Sequence, residues 1–410
     1  MADALPFPVG LGVAEAQARI VEIAATRMLA AEVLPIERAL GRTLARDVAA
    51  PRAVPGFANS AMDGYALRGE ELPATGERPF RLLGQVLAGG GDAEVVPGGC
   101  VRVTTGAPLP RGADTVVMKE NTRTDGDQVW VNAGTAPGAH VRPADEDYAA
   151  GDLALRAGAR LVPAALGVLA SFGLTEVAVR RRPRAVLVTT GDELTPLGEP
   201  LGFGRIYDSN RYSLGSLLER HGVELVRHER VRDDPALLRA ALERAAGDAE
   251  IVLSSGGVSV GEADFMPRLL AEIGEVYFWK VRMRPGMPFL FARVGAALMA
   301  ALPGNPVSGI ATFLALVRPA LDAMSGAMPS RTLRARLATA VHKRHARTEF
   351  QRARLDCDDE GRLIASPVEQ QGSGMLRGVA EADALIVLAE AQREFGAGEL
   401  VEVLPLPGWP

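Results

Sequence analysis

The chain has 410 residues, of which 48% are hydrophobic and 23% charged, and this composition predicts a folded protein of about two to four domains. Its formal net charge of −5 argues against the broad basic surface that nucleic acid or anionic membranes require. Only Cys100 and Cys357 are present, which excludes a disulfide-rich scaffold and a CxxC metal knuckle and fits a reducing cytoplasm.

The N-terminal residues contain no basic region followed by an apolar core. No apolar run approaches the roughly 18 to 20 residues of a membrane span. We therefore expect a soluble, cytoplasmic protein without a membrane partner.

The first predicted element is an amphipathic helix in residues 13–30, where Val13, Ala16 and Ile20 recur at helical spacing. From residue 46 to residue 147 the pattern changes to short β-rich runs separated by Gly and Pro, which predicts a separate β domain. A short helix is then expected in residues 162–173, because a proline lies in its first turn and a glycine at its end.

Beyond Arg180, strand-like runs such as "RAVLVTTG", "VELVRHERV" and "EIVLSSGG" alternate with predicted helices at 210–222, 235–247 and 305–321. This alternation predicts βαβ units and a mostly parallel, doubly wound sheet. After the short polar stretch "SGAMPSR", five further strand-like runs predict a small C-terminal β-barrel or sandwich.

In open parallel sheets, ligands bind outside the carboxyl ends of the strands. Three predicted strands end in polar loops, "VTTGDEL", "SSGGVSVGEAD" and "ALPGNPVS", which we expect to converge on one pocket. Successive glycines in the second loop can turn backbone N–H groups toward an anion. The loop has neither the GxGxxG nor the GK[ST] pattern, so a tight connection without a ligand stays an alternative.

The turn "IYDSNRYSL" also has two interpretations. Its Asp, Ser and Asn residues either cap the helix that follows or contact a ligand, and the two roles are compatible.

Isolated loop carboxylates usually are solvated or cap turns, but beside a phosphate loop they suit Mg²⁺. Lys280 and Arg284 in "FWKVRMRPGMP" can balance an oxyanion, although Lys280 alone would simply mark a strand leaving the core. The histidines show no ligand spacing and no GxSxG motif is present, which argues against a zinc or iron site and a hydrolase triad.

Several motifs together are more specific than any one of them. The stretches "NSAMDGYAL", "TTGDEL", "IYDSNRYSL", "SSGGVSVGEADF", "FWKVRMRPGMP" and "LPGNPVSG" follow the order and approximate spacing of the molybdopterin molybdenumtransferases. Over nearly its whole length the chain resembles this MoeA family and the C-terminal domain of gephyrin.

The resemblance implies a multidomain α/β and β homodimer with four parts. They are a helical dimerisation domain in residues 1–45 and 148–178, an inserted β domain in 46–147, a doubly wound α/β molybdopterin-binding domain in 179–327, and a C-terminal β-barrel-like domain in 328–410.

The implied reaction inserts molybdenum from molybdate into adenylylated molybdopterin, releases AMP, depends on Mg²⁺ and forms molybdenum cofactor. The alternatives are an enzyme like the molybdopterin adenylyltransferases and a non-catalytic pterin-binding scaffold. Transient contacts with a molybdopterin adenylyltransferase and with molybdoenzymes are further expectations.

The resemblance also implies site residues, with Glu193 and Asp264 as the metal ligands. The implied catalytic residues are Asp63, Thr105, Asp147, Glu193, Asp233, Asp264, Lys280 and Arg284. The implied substrate-binding residues are Asp208, Ser209, Asn210, Ser255, Gly256, Gly257, Ser259, Pro303, Gly304, Asn305, Ser308, Arg352 and Ser373.

Two consequences of the resemblance concern particular positions. Asp63, Thr105 and Asp147 lie on the inserted domain, which implies a cleft shared between two subunits. In the stretch "MRPGMP", many relatives carry lysines where this chain has Arg284 and Met287, and a methionine cannot offer a charge to an oxyanion.

Overall fold

A computed structural model describes residues 6–257, 265–328 and 333–408. The predicted site residues Ser259 and Asp264 lie outside these described residues.

The α/β unit is built on a seven-stranded sheet. In spatial order its strands are Val9–Leu11, Gly274–Val281, Leu290–Val294, Ala297–Leu302, Ile251–Ser255, Arg184–Thr190 and Glu224–Val231. Four of the six pairings are parallel, and the two antiparallel ones both involve Leu290–Val294. The sequence pattern did not predict that strand. A two-residue turn at Gly295 (φ 56°) joins it to Ala297–Leu302 as a hairpin.

Helices cover both faces of this sheet, so the expected doubly wound architecture is confirmed. Ala185 and Leu187 belong to the apolar cluster on one face, whereas Val186 and Val188 belong to the cluster on the other. Alternate side chains of an extended strand point to opposite faces, which is why a strand covered on both sides is apolar at every position. The helices are Ser209–Arg220 and Pro306–Met324 on the first face, and Pro235–Asp248 and Met266–Ile273 on the second.

The N-terminal segment joins the α/β unit. Strand Val9–Leu11 pairs in parallel with Gly274–Val281, and helix Val13–Ala25 packs against helix Arg318–Met324. Ala16 and Ile20 are fully buried in the same apolar cluster as the sheet. The helix is shorter than predicted, because the chain turns after Ala25 and enters strand Ala31–Pro35.

Helix Pro306–Met324 is 19 residues long and, by length and composition alone, apolar enough to span a membrane. This differs from the expectation that no apolar run approaches that length. However, 78% of its apolar window is buried inside the protein, as in a core helix. A π-helical turn, Phe313–Val317, connects its two α-helical parts, Pro306–Thr312 and Arg318–Met324. Pro319 has no N–H to donate to the preceding turn, which accounts for this irregularity.

Two distant chain segments form the next unit. Strand Ala31–Pro35 pairs with Glu176–Arg180, and Val48–Ala49 pairs with Leu153–Leu155. Helix Pro163–Ser171 packs with these strands around an apolar cluster of their own, which contains Leu169, Val177 and Val179.

The inserted β region forms a six-stranded sheet between those segments. In spatial order its strands are Thr115–Met118, Gly64–Leu67, Gly99–Val103, Glu77–Val86, Gln128–Asn132 and Thr122–Asp125, with a separate ladder of Asn59–Ser60 and Val141–Arg142. Three 3₁₀ turns lie in this part and the preceding segment, at Ile36–Arg38, Gly69–Glu71 and Lys119–Asn121.

The C-terminal region is a closed five-stranded barrel. Its strands follow the order Thr348–Cys357, Leu363–Pro367, Leu333–Leu337, Leu400–Pro405 and Ala384–Leu388, and the last pairs with the first. A small ladder of Val341–His342 with Glu394–Phe395 and the helix Leu376–Ala380 complete the unit. Strand Met283–Arg284 pairs in parallel with Thr348–Cys357, and this pairing joins the barrel to the α/β unit.

Candidate active site

A cleft of about 670 Å³ lies at the carboxyl ends of strands Arg184–Thr190, Ile251–Ser255 and Ala297–Leu302. From strand Arg184–Thr190 the chain continues to its neighbour Glu224–Val231 on one side and then to Ile251–Ser255 on the other side. The strand order therefore reverses here. The three expected loops therefore converge. The lining residues are Thr189, Thr190, Gly191, Glu193, Leu194, Ile206, Tyr207, Asp208, Ser209, Asn210, Asp233, Ser255, Gly256, Gly257, Pro288, Pro303, Gly304, Asn305, Pro306, Gly374 and Leu376.

Asn210 holds two of these loops together. Its Nδ2 donates to Ser255 Oγ at 2.8 Å and to the backbone carbonyl of Gly304 at 2.7 Å. Its Oδ1 is buried and has no hydrogen-bond partner among the described residues. Since a buried amide oxygen without a partner is unfavourable, this atom is available to a donor from a bound ligand.

The glycine loop approaches its neighbours too closely for a side chain. Gly256 and Gly257 have φ values of 102° and 69°, and a Cβ on Gly256 would overlap the carbonyl oxygen of Thr190. A Cβ on Gly304, by contrast, would make only an ordinary contact, 3.5 Å from the Gly256 Cα. The described start of the loop thus has the positive-φ backbone of an anion nest.

Asp208 belongs to a buried polar group. It accepts hydrogen bonds from Thr189 Oγ1 at 2.6 Å and from the backbone N–H of Arg211 at 3.0 Å, while His228 Nε2 lies 3.6 Å away. Burial opposes ionisation of Asp208, but the neighbouring His228 and the hydrogen bonds from Thr189 and Arg211 outweigh it and lower the pKa of the carboxyl. Asp208 therefore caps its helix and presents a charged group to the cleft.

Besides Asp208, the described carboxylates Glu193 and Asp233 line the cleft. Asp233 accepts from Thr190 Oγ1 at 2.7 Å, whereas the adjacent Asp234 caps helix Pro235–Asp248 through Ala236 and Leu237. No group of three metal-ligating side chains occurs within residues 6–257, 265–328 and 333–408. Mg²⁺ commonly uses only one or two protein carboxylates and completes its shell with phosphates and water, so Glu193 and Asp233 are the described carboxylates, besides Asp208, that could contribute to such a site.

A second cavity of about 500 Å³ adjoins the cleft and shares Pro288, Pro303 and Asn305 with it. Its other lining residues are Met283, Arg284, Pro285, Gly286, Met287, Ser308, Arg347, Glu349, Phe350, Gln371, Gly372 and Ser373. Arg284 and Glu349 are register partners in the pairing between α/β unit and barrel, and their side chains lie 4.0 Å apart. The predicted residues Arg284, Ser308 and Ser373 are thus brought together.

Two predicted residues of the α/β unit and the barrel, Lys280 and Arg352, line neither cavity. Lys280 has a φ of 61°, and its Nζ lies 4.0 Å from the ring centroid of Trp279. Arg352 is fully buried, and its Nε and Nη2 donate to the carbonyls of Gln370 and Gly372 at 2.9 and 3.2 Å. Arg352 therefore holds the loop that carries Ser373.

The three predicted residues of the inserted region also lie outside both cavities. Asp63 accepts hydrogen bonds from the backbone and hydroxyl of Thr105, and these lower the pKa of the Asp63 carboxyl. Asp147 is exposed and makes a backbone hydrogen bond to the carbonyl of Val54.

Several residues of the site were not predicted from the sequence. Thr189 and Thr190 stand in the quoted motif "VTTGDEL", but threonines are common in strands and gave no separate signal. Arg347 belongs to the C-terminal region, and only the folded chain brings it to the smaller cavity. His228 lines neither cavity, but its strand places it beside Asp208 of the larger one.

Three family profiles match the chain in succession. The "MoeA N-terminal region (domain I and II)" matches residues 11–173, the "probable molybdopterin binding domain" residues 186–323, and the "MoeA C-terminal region (domain IV)" residues 334–406.

Curated relatives and solved structures agree with these matches. The molybdopterin molybdenumtransferase of Haemophilus influenzae is 36% identical over 91% of this chain and 93% of its own length. Molybdopterin molybdenumtransferase 2 of Mycobacterium tuberculosis is 37% identical, with coverages of 91% and 94%. The crystal structure of the molybdopterin biosynthesis moeA protein from Pyrococcus horikoshii OT3 superposes with a TM-score of 0.83, at 27% identity, over 97% of this chain and 100% of that one. The chain therefore belongs to the molybdopterin molybdenumtransferase (MoeA) family of transferases in molybdenum-cofactor biosynthesis.

Proposed function

We propose that this enzyme inserts molybdenum from molybdate into adenylylated molybdopterin and releases AMP, forming molybdenum cofactor. The observation that carries the proposal is the pair of adjoining cavities that share Pro288, Pro303 and Asn305. The larger one has loop ends suited to phosphates, and the smaller one has arginines suited to a tetrahedral oxyanion. Such an arrangement supports the meeting of a pterin nucleotide and an oxyanion in one site.

In the larger cavity, the positive-φ loop at Gly256 and Gly257 would receive phosphate oxygens, and the free Oδ1 of Asn210 would accept a hydrogen bond from the ligand. Glu193 and Asp233, together with Asp264 as expected from the resemblance, would hold Mg²⁺. When bound, the ion would neutralise charge on the phosphoanhydride, whose hydrolysis consumes one water and releases AMP. The two dithiolene sulfurs would bind molybdenum as one oxo group of molybdate leaves as water with the two thiol protons.

We further propose that a second copy of the chain completes the cleft. Asp63, Thr105 and Asp147 lie outside the lining of both cavities, which supports their acting on the cleft of a partner. A homodimer would supply them. The reaction would take place in the cytoplasm, in keeping with the two unpaired cysteines.

The decisive experiment supplies purified protein with adenylylated molybdopterin, molybdate and Mg²⁺ and measures AMP. Molybdate-dependent AMP release is expected. Consumption of ATP with pyrophosphate release would instead indicate an adenylyltransferase, and ligand binding without turnover would indicate a scaffold. Restored molybdoenzyme activity in a strain lacking its own insertase is the expected result in cells.

Adjacent aspartates provide a matched test of the site. Asp233→Asn removes a charge from the cleft and should lower AMP release by at least about tenfold. Asp234→Asn preserves the helix cap, because asparagine is an equally good capping residue, and should leave turnover nearly unchanged. Equal turnover of the two variants would contradict the role of Asp233.

A further inference from the structure

A further cavity, of about 220 Å³, lies where the unit built from two distant chain segments meets the α/β unit. We call it the arginine cavity, because six arginines line it in a chain whose formal net charge is −5. Its volume is below the roughly 300 to 1,000 Å³ of pockets for drug-sized ligands, so it suits a small ion or the charged end of a larger molecule. The six are Arg42, Arg160, Arg180, Arg181, Arg182 and Arg220.

Half of these arginines are not paired with a carboxylate. In the part of the chain that the structure describes, no carboxylate oxygen lies within 4.0 Å of the guanidinium groups of Arg180, Arg182 and Arg220. Glu219 is the one carboxylate of the described lining, so three unpaired arginines face one glutamate and leave an excess of two positive charges. The other three form the pairs Arg42–Glu32, Arg160–Asp322 at 3.1 Å and Arg181–Glu250 at 2.9 Å.

Neighbouring groups reflect this positive charge. His221 lines the cavity, and burial, followed by the charges of Arg318 and Arg160, lowers the pKa of its imidazole, although a bond to the Leu217 carbonyl and the charge of Asp322 oppose this. Burial and Arg160 likewise lower the pKa of Arg318. Guanidinium charge therefore adds to burial in disfavouring further cations here, and the same charge favours an anion.

The frame of the cavity is fixed, whereas two of its arginines are exposed. Arg42 Nη2 donates to the carbonyl of Arg180 at 2.7 Å, and Arg180 Nη1 donates to the carbonyl of Leu29 at 3.0 Å. Arg182 and Arg220 are exposed, so their guanidinium groups can turn toward a ligand. A site whose frame is organised before the ligand arrives loses less entropy on binding.

The arginine cavity is separate from the candidate active site. Helix Ser209–Arg220 begins beside the cleft, which Ser209 lines, and ends at the arginine cavity, which Arg220 lines. A helix of 12 residues is about 18 Å long, so a ligand in one site does not touch the other.

We propose that the arginine cavity binds a phosphate or diphosphate group, either as the free anion or at the end of a nucleotide. Guanidinium groups stay charged and bind phosphate oxygens in bidentate geometry. Arg180 and Arg182 belong to the segment that enters the α/β unit, whereas Arg220 belongs to a helix of that unit. A bound anion would therefore join the two units at a site that takes no part in the proposed reaction.

The test measures binding of inorganic diphosphate by isothermal titration calorimetry. The double variant Arg182→Ser, Arg220→Ser should weaken the binding by at least about tenfold, because two charge-assisted contacts are lost. Loops of the cleft also suit phosphates, so the wild-type protein can show two classes of site, of which the variant should weaken one. Both replaced arginines are exposed, and the fold should be retained.

Two further variants control for charge. Arg334→Ser, Arg344→Ser removes two exposed arginines of the C-terminal region that lie outside the cavity, and it should bind diphosphate as the wild type does. Arg182→Lys, Arg220→Lys retains both charges and should keep most of the affinity.

Three results would overturn the inference. They are no diphosphate binding by the wild-type protein, unchanged binding in the serine variant of the cavity, and an equal loss in the control that lacks Arg334 and Arg344. ADP distinguishes the two sources of the anion. A serine variant weakened toward both ADP and diphosphate indicates the end of a nucleotide, and one weakened toward diphosphate alone indicates the free anion.

Discussion

Asp63 accepts two hydrogen bonds from Thr105, one from the backbone N–H at 2.8 Å and one from the hydroxyl at 3.0 Å. Both favour the ionised carboxylate and lower the pKa of Asp63 from its ordinary value of 3.8. The two hydrogen bonds therefore hold the exposed carboxylate of Asp63 in one orientation on the inserted β sheet.

Replacing Thr105 by valine should raise the pKa of Asp63 toward its ordinary value, because the hydroxyl donor is lost while the backbone donor stays. A carbon-13 NMR titration of the Asp63 carboxyl measures this change. Thr105→Ser retains the hydroxyl and serves as the control, and an equal pKa in all three proteins would contradict the role of the hydroxyl.

Asn210→Asp should lower the free energy of unfolding by about 1 to 3 kcal/mol. The change removes the Nδ2 donor and places a carboxylate oxygen against the carbonyl of Gly304. Asn305→Asp is the control, because the Asn305 side chain makes no capping hydrogen bond at the start of its helix. Urea unfolding should show little change for the control, and equal losses would contradict a special role of Asn210.

Gly256→Ala should destabilise the protein by about 2 kcal/mol or more, since the new Cβ would overlap the Thr190 carbonyl in addition to straining the backbone. Gly198 has a similar φ of 89°, but a Cβ there would have no neighbouring atom within 4 Å, so Gly198→Ala isolates the backbone strain. That variant should lose only about 1 kcal/mol. Urea unfolding measures the loss of unfolding free energy in both variants. Equal losses would mean that the loop moves away from Thr190 and that the overlap has no cost.

Glu250 should make stability depend on pH in the acid range. Burial disfavours its charge, but hydrogen bonds from Arg181 and Arg184 outweigh this and lower its pKa from 4.5 to about 2. A depressed carboxyl pKa stabilises the fold above pH 4.5, and this contribution disappears as the pH falls toward 2.

Glu250→Gln should therefore be less stable than wild type at pH 7, by about 1 to 3 kcal/mol after solvent screening, and the difference should shrink below pH 4.5. Unfolding in urea at several pH values measures it. Glu243→Gln alters an exposed glutamate and is the control. A difference that is constant from pH 7 to pH 2 would contradict the assignment to ionisation of Glu250.

Local sequence patterns predicted the elements whose signals lie within a few residues. The run "RAVLVTTG" predicted the strand Arg184–Thr190, whose apolar part is residues 185–188. Asp208 before Ser209–Arg220 indicated a helix cap, which the hydrogen bond from the Arg211 N–H confirms. Strand Leu290–Val294 was missed, because its pairing partners and a tight hairpin, rather than periodicity, define it.

The sequence by itself determined the family, the doubly wound α/β unit and the loops that meet at the strand ends, since each depends on short motifs and on a repeating order of elements. Tertiary structure alone decided that Asn210 joins Ser255 to Gly304, that Arg352 is buried beneath the Ser373 loop, and that Arg347 lies beside Met287. Arg347 and Met287 are 60 residues apart, and only the pairing of strand Met283–Arg284 with the barrel brings their side chains together. Such contacts depend on how distant strands, loops and domains pack, which no local pattern of residues encodes.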